Sequence, residues 1–276
     1  MLLFSCGNEK KKPISDINNL FPWAISAFDS VQRTPQERIR MIHDLGFRKY
    51  AYGWREHNLD EIADELRLAG EHDIEIIGVW LWCNAKRDSL EKLSPANQRM
   101  LKVLEENEIR TTLWLSFNNN FFEGLSQEES VGRAVEMVDF IAREAEKINC
   151  RIALYNHKGW FGNPWNQLEV IHNLPQHDLS MVFNFHHAHA YLDDFPHIVK
   201  EIKPYLIAVN LNGMEVDGHH ILPIGDGDRE KHMIEVLISE GYEGPWGVLG
   251  HVENADVKTV LERNLDGLSK MEIILE

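Results

Sequence analysis

Histidine is unevenly spread in this chain, with 11 of its 14 copies in the second half. His157, His186, His187, His189 and His251 each stand at or just past the end of a short apolar run. Imidazole titrates near neutrality and ligates divalent metals, so such a group suits proton transfer or a metal site. A single loop histidine is more often only solvated, and the grouping carries the argument. Amides recur at the same places, as Asn156, Asn184, Asn210 and Asn212. A buried amide costs free energy unless it is hydrogen-bonded, so these four describe either a polar layer facing a hydroxyl-rich ligand or side chains that tie loop backbones. Trp54, Trp80, Trp82, Trp160 and Trp165 also fall near run ends, where flat rings with a polar edge suit the CH faces of a sugar. Trp246 opens its run and is expected in core packing. In GDGDREKH, from Gly225, Asp228 is expected to cap a helix, since paired aspartates would repel a phosphate.

Side chains from distant stretches meet at one place only if the elements beneath them point the same way. From Phe21 onward, β-branched or apolar runs alternate with helical periodicity. The strands are expected at 23–28, 49–52, 74–82, 110–116, 151–156, 180–185, 206–211 and 246–250. Helices are expected at 35–45, 59–71, 95–107, 128–148, 165–173, 195–202, 229–240 and 256–273, with Thr34 before Pro35 and Ser94 before Pro95 as start signals. Eight such units without a linker predict a single α/β domain over residues 20–276, a (β/α)8 TIM barrel with its site at the carboxyl ends of the strands. A doubly wound sheet would need a glycine-rich turn after the first strand, and SAFDSVQRT has no glycine.

The chain has 276 residues, 43% of them hydrophobic and 26% charged, enough for a sizeable core. A net charge of -16 repels phosphate backbones, so no nucleic-acid partner is expected. Three scattered cysteines, Cys6, Cys83 and Cys150, form no disulfide framework. The opening MLLFSCGNEKKKP resembles the lipobox of bacterial lipoproteins, though the charged and apolar regions that should precede it are missing. Residues 1–19 are therefore either a tether with a lipid on Cys6 or a flexible arm. The first implies a periplasmic or membrane-anchored protein, touching the membrane only through that lipid, and the second a cytoplasmic one.

The segments RIALYNHKGW, MVFNFHHAH, AVNLNGM, ILPIGDGD and GYEGPWGVLGH, with the turn Gly241, Tyr242, Glu243, Gly244, Pro245 leading into the last strand, resemble the xylose isomerase-like TIM barrel superfamily. That resemblance spans about residues 21–273 and implies a sugar isomerase, a sugar-phosphate epimerase or a type-four apurinic endonuclease. It also implies divalent metals on carboxylates and histidines of strands five to eight. At those positions this chain has Tyr155, Asn184, Asn210 with Asn212, and Leu249, and only the histidine, His187, is kept. Hard cations favour anionic oxygens, so the usual metal site is expected to be absent. Zinc on His157, His187 and His251 is the alternative.

These readings converge on an enzyme that abstracts a proton next to a carbonyl of a small-molecule carbohydrate, as an isomerase, epimerase or lyase. His157 or His187 is expected as base, Lys158 or Asn184 as stabiliser of the enolate oxygen, and Tyr155 as proton donor. Asn156, Asn184, Asn210, Asn212, Trp54, Trp80, Trp82, Trp160 and His251 are expected to bind substrate. The competing reading is a carbohydrate-binding barrel that has lost catalysis together with its carboxylates. An endonuclease is disfavoured by the acidic charge and the missing ligands.

Overall fold

Helix starts are written locally and fold accordingly. Thr34 closes a reciprocal capping box with Glu37 around Pro35, Ser126 does so with Glu129, and the Ser94 hydroxyl accepts from the Asn97 backbone. The computed structural model describes residues 12–275. In it eight strands, β1 (Leu20–Trp23), β2 (Lys49–Tyr52), β3 (Glu75–Cys83), β4 (Thr112–Phe117), β5 (Arg151–Tyr155), β6 (Ser180–Asn184), β7 (Leu206–Leu211) and β8 (Trp246–Leu249), are each followed by a helix. The helices are α1 (Pro35–Asp44), α2 (Ile62–Glu71), α3 (Pro95–Glu106), α4 (Gln127–Lys147), α5 (Pro164–Asn173), α6 (Phe195–Ile202), α7 (Glu230–Ser239) and α8 (Val257–Lys270). All seven strand pairings are parallel, in the order β1-β8-β7-β6-β5-β4-β3-β2, and β1 lies beside β2 at the seam. This is the (β/α)8 TIM barrel.

Two cores follow from the period of two along each strand. One apolar layer lies between the sheet and the helices, and the other fills the lumen with Phe21, Trp23, Ala51, Trp114, Ala153, Tyr155, Val182 and Ala208. Large rings face small residues there. Gly78 is small because a Cβ at that position would overlap the Trp114 indole. Trp114 is itself held by Trp23, with ring centroids 4.8 Å apart. Gly78→Ala is expected to overpack the lumen by about 2 kcal/mol, lowering Tm by roughly 4–8 °C in a thermal melt. An unchanged Tm would mean that the Trp114 ring yields freely.

Three expectations need correction. β1 spans Leu20–Trp23 rather than 23–28, because Ala24 takes a left-handed φ of 55° that ends the strand. The segment after it brings Ala24 and Phe28 to the cavity at the strand ends. Asp228 does not cap α7, whose N-cap residue is Arg229 with no side-chain cap bond. The Glu230 carboxylate instead accepts from the backbones of Gly225 and Gly227. Residues 13–19 are not a free arm: Pro13 bridges to Ile274, and Ile14 is buried. Cys6 and its lipobox-like surroundings lie outside the described residues. No helix among those described is long and apolar enough to cross a membrane.

Candidate active site

The ends of β1, β2, β3, β5, β6 and β8 converge on a cavity of about 120 Å³. Its floor is Tyr155, the last residue of β5, whose hydroxyl accepts from Trp23 Nε1 at 3.2 Å and from Asn184 Nδ2. The other end of that amide, Asn184 Oδ1, accepts from the His186 backbone at 3.0 Å, so the side chain has one orientation. Above the floor the imidazoles form a rim. His157 and His187 have ring centroids 4.6 Å apart, His187 and His186 4.3 Å, and His186 and His251 5.9 Å. His251 stacks on Phe28 at 3.7 Å. Lys158, Arg55 and Trp80 complete the wall, and Asp and Glu are absent from the lining.

Burial sets the protonation states. It pushes His157 down to about 4, helped by the charges of Lys158 and His186, and His186 likewise to about 4. His187 is pushed further down by burial and by His157 and His186. The Tyr155 phenol is pushed up to about 12 by its burial. At neutral pH the cavity therefore holds neutral imidazoles, able to accept a proton, above a protonated phenol, able to donate one.

A family model described as xylose isomerase-like TIM barrel matches residues 27–270. The chain belongs to that family. Solved structures of similar fold include a D-psicose 3-epimerase with D-tagatose from Clostridium cellulolyticum H10, at TM-score 0.67 and 15% identity, over 94% of this chain and 99% of that one. A 3-keto-D-glucoside 4-epimerase from E. coli matches at TM-score 0.67 and 14% identity, over 92% and 98% of the two chains. The IOLI protein with a bound zinc matches at 0.64 and 11%, over 92% and 97%. No curated protein matches the chain in sequence.

The xylose isomerase-like resemblance implies a divalent metal, and the residues at hand do not fit one. Tyr155 stands where a carboxylate is expected, its hydroxyl engaged by Trp23 and Asn184, and Leu249 lines the cavity in place of another. The zinc alternative fares no better. His157, His187 and His251 line one cavity, but His251 is stacked on Phe28, and no group of three or more His, Cys, Asp or Glu among the described residues is placed to hold a metal.

Of the expected site residues, Tyr155, His157, Lys158, Asn184, His187, Trp80 and His251 line this cavity. Others lie elsewhere. Asn156 is spent between strands, accepting from the Asn184 backbone at 2.6 Å and donating to its carbonyl at 3.3 Å. Asn212 ties the loop after β7 through the Gly213 and His220 carbonyls. Asn210 is fully buried beside Gly247, outside the cavity lining. Trp54 and Trp82 line a neighbouring pocket, Trp54 bonding the Trp80 carbonyl at 2.7 Å. Trp160 faces α4, bonding Gln127 Oε1 at 2.7 Å and packing on Phe122. Trp23, Phe28, Arg55 and His186 are the aromatic and charged or titratable lining residues that the substrate-binding and catalytic expectations omit. His186 was legible in the FHHAH run, whereas Trp23 was hidden because the expected first strand began with it and so placed it at the far end of the barrel.

Proposed function

We propose that this protein is a carbohydrate epimerase or isomerase that moves a proton on the carbon next to a carbonyl, with His157 and His187 as its acid-base pair. The observation that carries this reading is the gathering of His157, His187 and Tyr155 in one cavity at the strand ends, where burial favours neutral imidazoles and a protonated phenol. His157 takes the proton, the C–H electron pair moves onto the carbonyl oxygen, and that oxygen is stabilised by the Tyr155 hydroxyl and the Lys158 ammonium. An imidazole held near 4 is a weak base but, once protonated, a strong acid. It therefore needs the oxygen stabilisers to take the proton and returns it readily. Return to the same carbon from the other face gives an epimer, and return to the neighbouring carbon, with the hydroxyl proton passing to the former carbonyl oxygen, gives an isomer. The epimerases of similar fold and the family membership agree with this chemistry.

Tyr155→Phe removes the donor and keeps the ring. Its kcat on a ketohexose panel is expected to fall about 100-fold, in line with loss of one oxyanion donor. A kcat within twofold of wild type would remove Tyr155 from the mechanism. Sugars that raise Tm while none is turned over would favour the binding-only barrel instead.

A further inference from the structure

We infer that the sugar taken by this cavity carries an anionic group, a carboxylate or a phosphate, and that Arg55 receives it. The inference rests on the carbohydrate reading above and narrows its substrate class. Three arginines among the described residues are buried or partly buried, Arg33, Arg38 and Arg55. Arg33 is paired with Asp29 at 2.7 Å and Asp256 at 2.8 Å, and Arg38 with Glu65 at 2.6 Å. For Arg55 no carboxylate among the described residues lies within ion-pair distance; the adjacent Glu56 is engaged by Arg87. Burial lowers the pKa of Arg55, yet a guanidinium stays charged at any physiological pH. A partly desolvated charge without an ionic partner carries a cost, and an incoming anion offsets it.

The geometry is that of a prepared receptor. The guanidinium carbon lies 4.4 Å from the Trp80 ring centroid and 5.6 Å from that of Phe28, which fixes the group at the cavity wall. One N–H is used on the Trp54 carbonyl at 3.0 Å, while an arginine side chain has five. Lys158 adds a second cation, and His186 Nδ1 is buried without a hydrogen-bond partner. In a chain of net charge -16, a cavity lined by cations and imidazoles with no carboxylate is a local reversal of sign.

Calorimetric titration of the full chain with two matched pairs, D-fructose against D-fructose 6-phosphate and D-glucose against D-glucuronate, tests this, with inorganic phosphate as a fifth probe. At least one anionic sugar is expected to bind about tenfold or more tightly than its neutral partner. Arg55→Gln is expected to abolish that preference and Arg55→Lys to restore part of it, with melting curves confirming that both variants fold. Which pair shows the preference tells phosphate from carboxylate. Equal binding within both pairs, or a preference unchanged in Arg55→Gln, overturns the anion site and leaves the sugar reading standing. Inorganic phosphate bound through Arg55, with no sugar bound at all, supports the anion site and removes the sugar reading. Absence of binding by every anion at millimolar concentration overturns the anion site.

Discussion

Asparagine in place of His157 is expected to lower kcat for epimerisation by about 10²- to 10⁴-fold, the range for loss of a positioned general base. KM should change little, because the ring's main task is to take a proton rather than to hold the sugar. His187→Asn should act similarly, since the two rings are 4.6 Å apart over one floor. The double variant is expected to lose little more than the worse single one, because groups that act as a unit are not additive. Steady-state kinetics on the best ketose of the panel, with Tm as a folding control, checks all three. If both single variants keep wild-type kcat, the imidazole pair is not the acid-base machinery.

Lowering the pH from 6.5 to 4 should cost this fold on the order of 5 kcal/mol through its rim histidines, seen as a Tm loss of roughly 10–20 °C. The sign follows from the direction of the shifts. In the unfolded chain these imidazoles titrate near the ordinary value of about 6.5. In the fold, burial holds His157 and His186 near 4 and His187 lower still. Between those values the unfolded state binds protons that the folded state refuses, so stability falls as the pH falls. Well above 6.5 the histidines are neutral in both states and contribute no slope. Melts of the wild type and of His157→Asn and His187→Asn across this range check the assignment, because each substitution should flatten the curve. Parallel curves for all three would place the acid lability elsewhere.

Seven of the eight strands were legible because each is a short apolar run that alternates with a stretch of helical period. β1 was not: LFPW carries no alternation of its own, and the left-handed turn at Ala24 leaves no trace in residue type. That one shift hid Trp23, which the expected strand placed at its start and the fold places at its end. The barrel's logic correctly brought His157, His187 and His251 to one mouth, since parallel strands place their ends together. It could not say which side chains face the cavity beyond a strand's last residue, where the two-residue period no longer holds. Trp54 and Arg55 show this, since β2 ends at Tyr52 and it is Arg55, the second of the two, that reaches the cavity. Asn156 shows the second limit, because a strand-end amide can serve a neighbouring backbone as well as a ligand, and here it does.

The central claim, that this cavity moves a proton on a sugar by means of neutral imidazoles, is met most directly by following solvent deuterium into substrate carbon by NMR. In D2O the wild-type protein should label the carbon next to the carbonyl of at least one ketose or anionic ketose, and the His157→Asn, His187→Asn double variant should lose that labelling by at least about 100-fold while still folding. Labelling at the wild-type rate in the folded double variant, or sugars that bind the wild type but are never labelled, would contradict the account.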